Sequence, residues 1–136
     1  MPTAAWPVSV AIVGVLEADS ALGAVIGDRI YSGLAPQATQ YPYVTMGDST
    51  EGAFNHFGRV GRDGTETIHV WSRATGKAEV LAIYGHLERL LNGTTLTVAG
   101  FRHVRGRLSL VTVFVDPDRV TMHLVARYDV LTQVAV

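Results

Sequence analysis

RLSLVTVFVDPDRVTMHLVARYDV, residues 107–130, decides the fold. Asp116-Pro117-Asp118 is a turn with a mechanism: proline presets φ, and aspartate bonds its own backbone. In the return strand, Val120, Met122, Leu124, Ala126, Tyr128 and Val130 point one way. Arg119, Thr121, His123, Arg127 and Asp129 point the other, with Val125 the exception. Side chains alternate across a strand, so one face meets a core and the other is wet or lies in an interface. The stretch therefore predicts a long antiparallel hairpin.

Upstream, residues 65–72 are rich in β-branched and aromatic side chains and read as a strand. The next segment has a helical stripe of Val80, Leu81, Tyr84, Leu87 and Leu91, with Glu79, His86 and Arg89 off it. Thr75 is its expected N-cap, Asn92-Gly93 its stop, and 96–98 a short strand. Residues 6–16 fit either a strand by propensity or one helix face. Continuation through Glu17-Ala18 favours helix. Asp19 and Ser20 are placed to cap a short second turn over 21–26, stopped by Gly27, and strands follow at 29–32 and 42–47. The expected architecture is α+β: a mainly antiparallel sheet with two helices packed on one face, one domain over 1–136.

Residues 52–64 carry Gly52, Gly58, Gly61 and Gly64 and keep no period, so they read as a loop. Phe54, Asn55, His56, Phe57, Arg59 and Arg62 lie in it. Long loops in compact domains are usually functional, which suggests ordering against a partner. The competing expectation is that both phenylalanines tuck back onto the core.

The 136 residues are 48% hydrophobic and 17% charged, enough for a core and unlike a disordered chain. There is no cysteine, which removes disulfides, thiol chemistry and cysteine-based zinc sites. A net charge of −1 argues against a general polyanion binder. No apolar run reaches spanning length and no basic n-region opens the chain, so the expectation is a soluble, cytoplasm-made protein with no membrane partner. The charge is polarised: Glu17, Asp19, Asp28, Asp48 and Glu51 face Arg29 alone in residues 1–51. Between Arg89 and Val115 there is no acid, while Arg102, Arg105 and Arg107 sit there; Arg119 and Arg127 follow. These arginines read either as solvated side chains on a sheet or as one half of a charge match between copies.

Catalytic motifs fail. Val10-Ala-Ile-Val-Gly14 lacks the further glycines a dinucleotide needs, since Val15 and Leu16 follow. Thr75-Gly76-Lys77 misses the first glycine of a phosphate loop, at Trp71, and has Ala78 where the magnesium-binding hydroxyl belongs. His56, His69, His86, His103 and His123 form no i,i+4 pair. No nucleophile elbow or carboxylate pair is present. The reading is neither an enzyme nor a cofactor protein.

Several stretches resemble one known family: LGAVIGDRIY at 22–31, Ala35-Pro36-Gln37, Tyr41-Pro42-Tyr43-Val44, and Ile68-His69-Val70-Trp71-Ser72-Arg73 leading into Ala78-Glu79. Asp116-Pro117-Asp118 and the alternating last strand complete the likeness. In order and spacing, from about residue 21 to 131, they resemble the tail completion proteins (tail terminators, or head–tail joining proteins) of long-tailed bacteriophages and gene transfer agents. The resemblance implies a virion protein assembled in the host cytoplasm. It implies a ring, generally of six copies, that caps the head-proximal end of the tail tube and stops its polymerisation. Its implied partners are the major tail tube protein, the head–tail connector, and DNA passing through the bore without sequence recognition. On this reading 52–64 docks a neighbouring ring, and Arg102, Arg105, Arg107, Arg119 and Arg127 lie between subunits or face the bore. The alternatives are an adjacent neck or stopper protein, and a small nucleic-acid-binding module using the arginines with Phe54 and Phe57 as stacking platforms.

Overall fold

The computed structural model describes residues 3–55 and 60–135. Three helices are present: α1 (Ala5–Ala18), α2 (Ser20–Ile26) and α3 (Ala78–Leu91). The strands are β1 (Ile30–Ser32), β2 (Tyr43–Ala53), β3 (Gly61–Ser72), β4 (Phe101–Val115) and β5 (Met122–Val134). They form one sheet in the order β1-β2-β3-β5-β4. β1 runs parallel to β2 and every other pair is antiparallel. The expected α+β class is present, with two corrections: the helices number three, and the sheet is mixed.

Residues 6–16 resolve as helix because Val8, Ile12 and Leu16, spaced by four, all reach the core. Asp19 then turns the chain through 87°. Its backbone N–H donates to the Leu16 carbonyl, and its Oδ2 accepts from the Leu22 N–H at 2.9 Å, capping α2 as expected. Gly27, at φ 61°, ends α2. Arg89 of α3 clasps both Asp19 oxygens, at 3.1 and 2.8 Å, and ties the corner to the third helix. That pairing, with the Leu22 bond, holds the Asp19 carboxyl down at about 2.

One apolar layer lies between helices and sheet. Leu22, Ile26, Val80, Ile83, Leu87 and Leu91 meet Val44, Ile68, Val70, Leu124, Ala126 and Tyr128 there, all fully covered. β5 supplies Met122, Leu124, Ala126, Tyr128 and Val130 to this layer as its alternation predicted, whereas Val120 lies before the strand and is exposed. In α3 the buried stripe uses Ile83 in place of Leu81, which faces outward. The expected Thr75 cap is also corrected: Lys77 holds the cap position with no side-chain bond. Leu96 and Val98 are buried, but their backbone joins no strand between Gly93 and Gly100, both at positive φ.

The expected 52–64 loop is replaced by paired strand at both ends. β2 and β3 stay in register through Ala53 and Arg62. Gly61 and Gly64 serve close approach here, not flexibility. A Cβ on Gly61 would strike the Phe54 carbonyl oxygen and come within 2.9 Å of that of Thr132; on Gly64 it would come within 2.9 Å of the Thr50 carbonyl oxygen. β4 likewise starts six residues before the predicted Arg107. Register shifts at His103/Arg105 and Leu108/Leu110 break the alternation that a sequence reading needs. Among the described residues, no single helix is long and apolar enough to cross a membrane.

Candidate interaction surface

The helices cover one face of the sheet, and the other face carries its polar positions. Arg102 and Arg107 pair with Gln133 and Asp129, two positions of β5 on that open face, and Arg127 shares it. Arg105 pairs with Leu131 between them, after the register shift at His103/Arg105. Arg119 stands in the β4–β5 turn at φ 61°. Arg102, Arg107, Arg119 and Arg127 are exposed, and none has an ion-pair partner among the described residues.

Arg62 does not join them. Strand parity turns it to the helix side, 8% exposed, with Nε 3.8 Å from Glu51 Oε1. It is therefore not a partner-facing loop residue. Phe54 and Asn55 do sit at the end of the β2–β3 hairpin, where Phe54 is 38% exposed and Asn55 Oδ1 accepts from the Gly61 N–H. His56, Phe57 and Arg59 lie outside the described residues.

A cluster that the sequence reading missed fills the other end of the open face. Tyr43, Trp71, His123 and Phe114 stand side by side on β2, β3, β5 and β4. Trp71 stacks on His123 with ring centroids 3.7 Å apart, and Tyr43 stacks on Trp71 at 6.1 Å. Arg73 lies over the Tyr41 ring at 4.5 Å. His123 Nδ1 is 3.1 Å from Asp116 Oδ1, and its Nε2 is 2.7 Å from His69 Nδ1. With Nδ1–H donating to the carboxylate, His123 Nε2 must accept, and His69 Nδ1–H donates to it. The chain of bonds suits two neutral imidazoles. The far side of His69 packs on Gly47, where a Cβ would collide with its Nε2.

Burial, then the neighbouring His123, pushes the His69 pKa down; burial pushes that of His123 down against the pull of Asp116. A histidine depressed in the fold stabilises it above the unfolded value of about 6.5 and loses that contribution as pH falls. The melting temperature is expected to drop between pH 6.5 and 5, and His69→Gln, which can still donate to His123, to flatten the drop. Asp19 and Asp118, both at about 2, stay ionised in this window. Glu66, raised by burial, works in the opposite sense. An unchanged slope in the variant would remove the histidine pair as its cause.

Trp71 and His123 thus spend their faces on each other, while Phe114 stays 40% exposed. Among the described residues, no group of three or more His, Cys, Asp or Glu is placed to hold a metal. Exposed among the described residues are Arg102, Arg107, Arg119 and Arg127, apolar side chains such as Trp6 and Leu110, and Phe54 at the hairpin end.

The sequence matches the family described as Tail completion protein gp17 over residues 10–133. The chain belongs to that family. A curated member, the tail completion protein gp17 of Bacillus phage SPP1, is 35% identical over 83 residues. The match covers 61% of this chain and 61% of the length of that relative. The fold agrees with a chain in the virion of a native gene transfer agent particle, with a TM-score of 0.85 and 95% of each chain covered. At 19% identity that likeness speaks for the fold alone. As a member of that family the chain is a bacteriophage tail completion protein, a structural protein of the virion.

Proposed function

We propose that this tail completion protein closes into a ring, generally of six copies, at the head-proximal end of the tail tube. The ring ends tube polymerisation, docks to the head–tail connector, and lets DNA pass through its bore without reading sequence. The family match along 10–133 carries this reading. The four exposed arginines without ion-pair partners among the described residues support it, because they are displayed for another surface. Their counterparts are the acids of residues 1–51, of which Glu17, Asp28 and Asp48 are exposed. A head-to-tail ring uses two different patches per subunit, and this polarity offers two. The docking role falls to the hairpin end at Phe54 and Asn55, without Arg62.

Particle production without this protein is expected to yield filled heads without tails, together with tubes of uncontrolled length. Supplying Arg107→Glu with Arg127→Glu should restore joining poorly and shift the purified ring toward monomer, more at low salt than at high salt. Normal particles without the protein would overturn the reading. A ring indifferent to the charge reversals would remove the arginines from its joints. A preference for a neck position would appear as normal tubes that fail only to attach.

A further inference from the structure

β4 is the last strand of the sheet; Asn92 and Gly93 bond its outer edge at Leu108 and Gly106, and among the described residues no neighbouring strand covers that edge from Leu110 to Val115. Its first half is interrupted by the two register shifts, but Leu110 to Val115 pair with β5 without a break. That run, LVTVFV, carries no charge, no proline and no bulge, which are the features that normally protect an edge. Leu110 is 54% exposed, Phe114 40%, Val115 53% and Val120, in the turn, 60%. Such an edge left open is an aggregation site; in an assembly it is a covered one.

The opposite edge of the sheet has a second apolar surface. Trp6, Val10, Val13 and Glu17 of α1, with Ile30 and Ser32 of β1, line a groove of about 390 Å³. Trp6 is 65% and Val10 51% exposed, so α1 is apolar on its outer side as well as its inner one. The groove carries an acid, Glu17; at the edge strand Asp116 and Asp118 pair within the chain with His123 and Arg73, while Arg107, Arg119 and Arg127 beside it have no ion-pair partner among the described residues, so the charge left over matches. One patch is an apolar strand edge with unpaired arginines beside it, the other a groove that carries an acid, and they lie at opposite ends of the strand order. Joining them repeats head to tail, which closes as a ring when the rotation permits.

Resting on the ring reading above, we infer that the occupant of the α1–β1 groove is the Leu110–Val115 edge of the next copy. A joint of standard size covers roughly 800 Å² per partner. That is a modest share of the 7500 Å² surface of the chain.

The test uses Val10→Glu and Leu110→Glu, both at half-exposed positions, each checked for folding by its melting curve. Val10→Ser and Leu110→Ser stand in should a glutamate variant not fold. At a concentration where the wild type has the mass of a ring, each variant alone is expected at one-chain mass by light scattering. Their equimolar mixture should give two-chain particles and nothing larger, because it contains one intact edge and one intact groove per pair. Rings from either variant overturn the inference and leave the ring reading intact. A mixture that stays at one-chain mass shows that the two patches are not partners and also overturns it. A wild type that never forms rings at any concentration overturns the ring reading itself.

Discussion

Arg62→Ala is expected to lower the unfolding free energy by about 1–2 kcal/mol, between the worth of an exposed ion pair and the loss on breaking a fully buried one. The Arg62 side chain is 10% exposed and that of Glu51 20%. Glu51 Oε1 also accepts from the Ala4 N–H at 2.5 Å, so the pair anchors the start of α1 on the hairpin. A carboxylate suits the positive end of that helix dipole. Glu66, 2% exposed, lines the same small cavity, and its pKa is raised by burial and then by the nearby Glu51, against the Ser49 hydroxyl that donates to it. Alanine at 62 would leave the Glu51 carboxylate without the guanidinium and would also remove the packed stem of the side chain. Urea unfolding at pH 7 measures the loss. Arg62→Met with Glu51→Gln should recover most of it, since methionine replaces the stem and the amide oxygen still accepts from Ala4. A double variant as weak as the single one would mean that charge compensation is not what Arg62 provides.

Arg62 also shows what a sequence can and cannot disclose. Its neighbours Gly61 and Gly64 read in the sequence as part of a loop, because glycine is permissive in isolation. Their actual requirement comes from carbonyl oxygens of adjoining segments, Phe54, Thr132 and Thr50, which no local pattern displays. Once those glycines belong to a strand, parity decides that Arg62 turns inward. β5 was legible because its run from Met122 to Val130 has no bulge and one face is wholly core. β4 was not, because its two register shifts move the exposed positions out of step with a period of two. The capping of α2 by Asp19 was readable locally, whereas its clasp by Arg89, 70 residues away, was not.

The same division holds for the surface. Exposure of Arg107 and Arg127 follows from strand positions that the sequence places correctly, whereas Arg102 lies in the part of β4 that it does not show and Arg119 in the turn instead of the strand. The Tyr43–Trp71–His123–Phe114 row draws one residue from each of four strands, so only the pairing register assembles it. A signal existed: Trp71 and His123 fall on the wet side of their strands, where a large ring needs a neighbour to cover it.

The second large effect is centred on Tyr128, fully buried on β5 between Glu66 of β3 and Leu108 of β4. Tyr128→Ala should cost about 3–5 kcal/mol, the usual range for deleting a large aromatic from a core. Tyr128→Phe keeps the ring and isolates the hydroxyl, whose pKa is pushed up to about 12 by burial. An acid whose folded pKa is raised supports the fold below its unfolded value and loses that support above it. Between pH 10 and 12 the wild type should therefore lose roughly 2–3 kcal/mol through this one group. Tyr43, also raised to about 12, adds a smaller loss because its ring is only partly covered. Urea titrations at pH 9 and 11.5 separate the two effects: Tyr128→Phe should retain the part of its stability that the wild type loses, with only the Tyr43 share remaining. Equal alkaline losses in both proteins would mean that the phenol stays protonated throughout or ionises without opening the core. In either case the link between its burial and the alkaline limit of the fold would be broken.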